Sequence, residues 1–108
     1  MVQEIIKLSK NLEQGQTIEW EFKNGSYTNM QDRNRGDFYF YATNQTIYWA
    51  KQLSKYECDY DYTEKYVDDM TDADWNYLAN ILNRKSRKFF GGNLFAYDMN
   101  TRQELITI

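Results

Sequence analysis

Residues 17–22 read Thr-Ile-Glu-Trp-Glu-Phe, and polar and large apolar side chains alternate along them without a break. Successive side chains of a β-strand point to opposite faces of its sheet, so this stretch predicts a strand with one apolar face. Asn24-Gly25 follows, and this pair suits the tight hairpin turn in which both central residues need a positive φ. We therefore predict a hairpin with strands at 17–22 and 27–31.

Three other stretches have a clear pattern. Apolar residues recur at helical spacing from Val2 to Leu12, and Gly15 is a suitable terminator, which predicts a helix over 2–13. Thr71 is a good N-cap before a helix with an apolar stripe, Trp75, Leu78, Ala79 and Leu82. Residues 94–99 and 104–108 predict a closing hairpin around Asn100-Thr101-Arg102.

The middle of the chain carries aromatic residues at a higher density. Residues 37–42 place aromatic side chains on both faces of a predicted strand, and 56–62 alternate aromatic or thiol side chains with carboxylates. The stretch 45–55 is ambiguous between a helix capped by Asn44 and a further hairpin strand, and its spacing of Trp49, Leu53 and Tyr56 favours the helix.

These elements predict a single α+β domain over residues 1–108, with an antiparallel sheet of about five or six strands and two or three helices on one face. The length fits one domain, and 42% hydrophobic residues exclude a disordered chain. A single cysteine excludes an internal disulfide and, with no signal-peptide or membrane-spanning pattern, predicts a cytoplasmic protein that does not bind membranes.

The chain has no histidine, so a histidine-based triad, general base or metal site is excluded. The acidic neighbours of Cys58 disfavour a reactive thiolate, and we interpret it as a packed residue. We therefore predict a protein without enzymatic activity or cofactor. A magnesium-dependent enzyme that uses clustered carboxylates remains an alternative.

Charge is distributed unevenly along the chain. The total is −3, but residues 57–74 contain eight acids and one base, Lys65, and carry −7. A basic cluster, Arg84, Lys85, Arg87 and Lys88, follows closely. Cations at the end of a helix complement its dipole, so we interpret this cluster as a solvated helix end.

Within the acidic segment, the predicted strand places tyrosines on one face and the carboxylates of Glu57, Asp59 and Asp61 on the other, about 6.6–7 Å apart. Successive phosphates of one DNA strand lie at a broadly similar separation. We therefore predict a partner-binding site that mimics a polyanion and meets lysines and arginines. Its members are Glu57, Asp59, Tyr60, Asp61, Tyr62, Glu64, Asp68, Asp69, Asp72 and Asp74.

Nucleic-acid binding is a further alternative. Residues 35–41, Arg-Gly-Asp-Phe-Tyr-Phe-Tyr, resemble the aromatic strand of an RNA-recognition module, on which bases stack. Asp37 stands where that module has an aromatic residue, and the acidic segment would repel phosphates. We therefore do not expect direct nucleic-acid binding.

The chain resembles the small acidic inhibitor proteins of phages and other mobile elements, above all the anti-CRISPR proteins that block type II RNA-guided nucleases. The likeness consists of small size, tyrosine and aspartate richness, absence of catalytic groups and clustered charge. It implies a DNA mimic that occupies a basic nucleic-acid-binding groove of a nuclease in the host cytoplasm, as a monomer or homodimer. A structural or accessory phage protein that self-associates through aromatic strands is the main alternative.

Overall fold

The computed structural model of this protein describes residues 1–23, 37–52 and 60–106. Two α-helices, one short 3-10 helix and six strands follow one another in this part of the chain. They are α1 (Val2–Ser9), β1 (Gln16–Phe22), β2 (Phe38–Ala42), β3 (Thr46–Gln52), β4 (Tyr60–Tyr66), a short 3-10 helix (Val67–Asp69), α2 (Asp72–Lys88), β5 (Asn93–Asp98) and β6 (Gln103–Glu104).

The six strands form one antiparallel sheet in the order β4-β3-β2-β1-β5-β6. Buried side chains of both helices join one hydrophobic cluster with Trp20, Phe40 and Trp49 of the central strands. The predicted α+β architecture, with helices on one face of a sheet of about six strands, is therefore confirmed. The predicted strand at 27–31 and residues 56–59 of the predicted strand at 56–62 lie outside the described residues.

The first helix is shorter than the predicted 2–13. It ends at Ser9, whose buried hydroxyl donates a 2.7 Å hydrogen bond to the carbonyl of Ile5. A tight turn then brings the chain to Gly15, which has a φ of +87° and directly precedes β1. Leu12 packs against the core from this turn. Apolar residues at helical spacing therefore extend beyond the end of the helix.

The favoured helix at 45–55 is wrong: residues 46–52 form strand β3. Thr43 closes a tight turn, because its backbone NH donates to the carbonyl of Thr46 at 2.9 Å and its hydroxyl accepts from the NH of Thr46 at 3.0 Å. The β-branched and aromatic residues that follow favour a strand. Trp49 then lies opposite Phe40 of β2 and joins the core from the sheet.

The second helix begins where the sequence predicts. The Thr71 hydroxyl accepts from the backbone NH of Asp74 at 3.1 Å, and the Asp74 carboxylate accepts from the NH of Thr71 at 3.0 Å. This reciprocal capping box satisfies two NH groups that the helix itself leaves unpaired. Three of the four predicted stripe residues are buried; Ala79 is only partly buried, and Ile81 is buried in the core.

The closing hairpin forms, but its second strand is Gln103–Glu104 and not the predicted 104–108. Leu105 and Ile106 lie beyond the strand, and residues 107–108 lie outside the described residues. The Asp98 carboxylate orders the turn by accepting from Gln16 Nε2 at 3.0 Å and from the backbone NH groups of Asn100 at 2.8 Å and Thr101 at 3.2 Å. The hydrogen bond from Gln16, aided by those from the turn, lowers the pKa of Asp98. The hydrogen bond between Gln16 and Asp98 thus connects the central strand β1 with the closing hairpin at the edge of the sheet.

Candidate partner-binding face

Alternation along the strands gives the sheet two distinct faces. Ile18, Trp20 and Phe22 of β1 lie on the face that packs against the helices, which we call the helix face. Thr17, Glu19 and Glu21 lie on the other face, which we call the open face. The registers of the neighbouring strands assign their residues to the same two faces.

The open face is rich in aromatic side chains. Tyr39, Tyr48 and Tyr62 of three neighbouring strands form a continuous row, with ring centroids 6.0 Å apart in the first pair and 6.1 Å in the second. Diagonal neighbours across strands are within reach of aromatic rings. Ala50 lies opposite both Tyr39 and Tyr62 and is only 5% exposed. We call these three rings the tyrosine row.

A second aromatic pair lies on the other side of β1. The rings of Phe95 and Tyr97 on β5 are stacked with centroids 5.5 Å apart. Tyr41 and Tyr66 are further aromatic residues of the open face. Several of these rings remain accessible: Tyr62 is 65% and Phe95 52% exposed.

Carboxylates stand between these rings. Glu19 lies opposite Tyr41 on one side and Phe95 on the other, and its Oε1 accepts a 2.9 Å hydrogen bond from the Tyr39 hydroxyl. Glu64 lies opposite Tyr48. The strand residues described on this face carry no lysine or arginine, and their acids are Glu19, Glu21, Glu64 and Glu104.

One polar contact fixes part of this surface. Partial burial, together with the hydrogen bond to Glu19, raises the pKa of Tyr39 above its ordinary value. The hydroxyl therefore keeps its proton and holds the Glu19 carboxylate in place. Glu21 lies 3.5 Å from the Lys23 ammonium, a partly exposed ion pair that a competing cation can replace.

This combination of groups is suited to cationic side chains. Arginine stacks on tyrosine rings and forms two parallel hydrogen bonds with a carboxylate. A groove of about 460 Å³ along β1 and β5 is lined by the carboxylates of Glu19 and Glu21 and by the aromatic ring of Phe95. The open face can therefore hold a protein surface that presents arginine or lysine.

Of the predicted site, two residues lie on the open face, Tyr62 and Glu64. Asp61 is on the opposite side of the same strand, next to Thr63 and Lys65 in the alternation, and is exposed. Tyr60 begins β4. Glu57 and Asp59 lie outside the described residues.

The remaining predicted acids follow β4 at the corner that leads into α2. Asp68 and Asp69 belong to the short 3-10 helix and Asp72 begins α2, and all three are exposed. A cleft of about 470 Å³ brings Asp69 close to Glu64 and Tyr66 of the open face. The corner thus extends the acidic surface beyond the sheet.

Asp74 has a different role within the fold. Its carboxylate accepts from the backbone NH of Thr71 and also lies 2.9 Å from the Lys65 ammonium. The backbone hydrogen bond first, and the hydrogen bond from Lys65 second, lower the pKa of Asp74. This carboxylate is committed to the start of α2 and is poorly placed to receive a partner.

The tyrosines and glutamates of β1, β2, β3 and β5 were not predicted as members of one surface. Alternation in residues 17–22 and 37–42 was visible, but the sequence does not state which strands are neighbours. Because a helix was favoured at 45–55, Tyr48, the central member of the tyrosine row, was not assigned to a strand of this face.

Within the part of the chain that the structure describes, no group of three or more acidic or cysteine side chains is arranged to hold a metal ion. Neither α1 nor α2 is long and apolar enough to cross a membrane. Comparison of the chain with known protein families, with curated proteins and with solved structures found no match.

Proposed function

We propose that this protein is a non-catalytic inhibitor whose open face binds a basic, nucleic-acid-binding surface of another protein and thereby blocks that surface. The observation that supports the proposal best is the mixture of accessible tyrosines and glutamates on an uninterrupted sheet face whose described strand residues include no cation.

The tyrosines supply the binding energy in this proposal. Tyrosine is enriched among the few residues that dominate binding at protein interfaces, because it buries a large rigid surface and retains a polar hydroxyl. The tyrosine row is already ordered by its mutual ring contacts, so binding restricts little additional side-chain motion.

The carboxylates select the class of partner. Glu19 and Glu21 are two residues apart on β1, which separates them by roughly 7 Å along the strand. A groove that binds nucleic acid presents cations at intervals suited to phosphates, and spaced carboxylates fit the same cations. Such complementarity raises the association rate and excludes acidic partners.

The likeness to anti-CRISPR proteins suggests a specific setting. A type II RNA-guided nuclease reads a short DNA motif with arginines and holds nucleic acid in positively charged channels. The proposed inhibitor would occupy one of these surfaces in the cytoplasm of the host cell, in a stoichiometric complex, and prevent binding of target DNA.

Self-association through the open face is the competing function, since the exposed rings of Tyr62, Tyr66 and Phe95 also suit a second copy. Face-to-face packing of two copies would bring eight glutamates together, four from each, and like charges at an interface are costly. The carboxylates therefore favour a basic partner over a second copy.

The test uses a type II RNA-guided nuclease from the natural host and measures binding of labelled target DNA. We expect the wild-type protein to block DNA binding at near-stoichiometric concentration, and the double variant Glu21→Lys/Glu64→Lys to be roughly 100-fold weaker. The matched control, Glu4→Lys/Glu13→Lys, makes the same charge change outside the open face and should inhibit like the wild type.

Two results would contradict the proposal. One is equal inhibition by the open-face variant and the wild type, with both folded by circular dichroism. The other is a concentration-dependent dimer that disappears when Tyr62 is replaced by alanine, with no inhibition of the nuclease, which would establish self-association instead.

A further inference from the structure

A second charged surface lies at the far end of α2. The last turns of this helix carry Arg84, Lys85, Arg87 and Lys88, and Lys51 at the end of β3 lies close to them. We call these five cations the basic tip. Burial, followed by the charges of Lys88, Lys51 and Arg84, lowers the pKa of Lys85, while Asp37 acts in the opposite direction.

Among the described residues, no salt bridge involves a cation of the basic tip. The salt bridges between described residues lie elsewhere and join Glu21 with Lys23 and Asp74 with Lys65. Arg87 donates from Nε to the backbone carbonyl of Asn83 at 3.2 Å, which fixes its side chain along the helix. Cations so close to one another repel, and an anionic ligand would relieve that repulsion.

Phe90 stands next to this cluster with its ring in solvent. It is 97% exposed, and its φ of +53° is unfavourable for a residue with a β-carbon. Its neighbour Phe89 behaves differently: that ring packs 6.3 Å from Phe22 and lies under the ammonium of Lys88 at 5.4 Å.

The turn that carries Phe90 is anchored to the core. Trp20 Nε1 donates a 2.7 Å hydrogen bond to the Gly91 carbonyl. Gly92 approaches the backbone of β1 so closely that an added β-carbon would lie 2.6 Å from the carbonyl oxygen of Glu21. Phe90 therefore projects from a fixed turn, and its strained backbone keeps its ring away from the core.

In contrast to the expectation from the sequence, we propose that the basic tip binds single-stranded nucleic acid, with phosphates on its lysines and arginines and a base stacked on the ring of Phe90. Proteins that bind single strands combine a cationic track with exposed aromatic rings, because every base has a flat face on which to stack. This inference uses none of the open-face residues that carry the proposed function, and it stands independently of it.

The acidic corner that leads into α2 is far enough away to permit this. The seventeen residues of α2 separate the acidic corner at Asp72 from Lys88 by roughly 25 Å. Interactions between exposed charges are screened beyond about 8 Å at physiological ionic strength. The nearer acids among the described residues are Asp37, Asp61 and Glu21. Asp61 lies opposite Lys51 in the register of β3 and β4, and Glu21 lies next to Lys23. The four cations of α2 therefore carry most of the proposed site.

A single strand fits this surface better than the other polyanions. A duplex keeps its bases paired and stacked, so it would leave the ring of Phe90 unused. An anionic membrane gains from several inserted apolar side chains, whereas Phe90 is the one strongly exposed apolar residue among residues 84–92. The combination of five cations and one free ring therefore favours a single strand.

The experiment measures fluorescence anisotropy of a labelled 20-nucleotide single strand, as DNA and as RNA, titrated with the full chain. We expect binding at 50 mM salt that weakens roughly 50-fold at 200 mM, as about four phosphate contacts predict. Arg84→Ala/Lys88→Ala should weaken binding at least tenfold, and the control Lys7→Ala/Lys10→Ala, with the same charge change at the C-terminal end of α1, should not.

Phe90 provides the decisive comparison. Phe90→Ala should weaken binding about tenfold and Phe90→Trp should restore it, since the contribution comes from stacking. The proposal is overturned if the single strand does not bind at 50 mM salt, or if Phe90→Ala binds like the wild type. Equal competition by a duplex of the same length, or sedimentation with phosphatidylserine vesicles in place of oligonucleotide binding, would also overturn it.

Discussion

The two faces of this sheet are both aromatic, yet they serve different purposes. On the helix face, Trp20 and Phe40 are 1% and 0% exposed, whereas on the open face Tyr62 and Phe95 are 65% and 52% exposed. Aromatic content alone therefore does not identify the core. The difference lies in the surroundings of the rings: on the open face the Tyr39 hydroxyl donates to the Glu19 carboxylate, whereas Trp20 and Phe40 lie within the hydrophobic cluster.

The largest expected effect is the difference in stability loss between truncations on the two faces. Trp20→Ala removes a buried ring that contacts Phe22 at 5.0 Å and the indole hydrogen bond to Gly91. We expect this variant to lower the free energy of unfolding by about 3–5 kcal/mol, measured by urea denaturation. This hydrogen bond also anchors the turn before β5. In the variant, that turn should therefore unfold at a lower urea concentration than the rest of the protein.

Tyr62→Ala is the matched truncation on the other face. Its ring stacks with that of Tyr48 and is mostly in solvent. We expect a loss of no more than about 1 kcal/mol. Equal losses for the two variants would show that the open face is a second core, and the division between the faces would be wrong.

The second effect concerns binding. Here Tyr62, whose truncation affects stability less than that of Trp20, should make the larger contribution. In the proposed complex, Tyr62→Ala should weaken affinity by about 2 kcal/mol, roughly 30-fold, because accessible tyrosines dominate such interfaces. Isothermal titration with the nuclease measures this change. Tyr77→Phe, which keeps the ring of a 47% exposed tyrosine on α2, serves as the control and should bind normally.

Much of the fold could be predicted because residue patterns within short segments determine its helices and strands. Residues 17–22 alternate strictly, and Thr71 with Asp74 forms the capping box that its spacing allows. The helix favoured at 45–55 failed because Trp49 fits either period, and only the turn at Thr43 and the pairing with β2 decide between them. Tertiary pairing thus overrode a spacing that was compatible with a helix.

The candidate site was harder to predict because it is assembled from distant strands. Tyr62 and Glu64 were identified from the composition of their own segment, whereas Glu19 and Phe95, which meet across one pair of strands, are 76 positions apart. Asp74 was counted with the acidic surface, although its carboxylate serves the helix start. Sequence proximity therefore grouped acids that the fold separates.

The third effect tests whether the helix layer can be weakened without altering the open face. Thr71→Ala removes one half of the capping box at the start of α2. We expect a loss of about 1 kcal/mol in the free energy of unfolding, while affinity for the partner stays unchanged. A loss of affinity larger than threefold would mean that the acidic corner takes part in binding.

The smallest effect appears in the dependence of stability on pH. The pKa of Asp74 lies below its ordinary value of 3.8, because the folded state donates hydrogen bonds to its carboxylate from Thr71 and Lys65. The resulting stabilisation is fully present above that ordinary value. As the pH falls below it, the unfolded chain takes up the proton first, and stability declines until the folded carboxylate is protonated too.

Asp74→Asn removes this titration and should flatten the fall in stability between about pH 5 and pH 2, measured by urea denaturation at a series of pH values. Lys65→Met, which removes the second of the two donors, should flatten it partly, since the backbone of Thr71 still donates. An unchanged slope in Asp74→Asn would show that the carboxylate does not stabilise the helix start. Asp74 would then be available to the acidic surface that Glu64 and Asp69 form, and the open face would extend around the edge of the sheet.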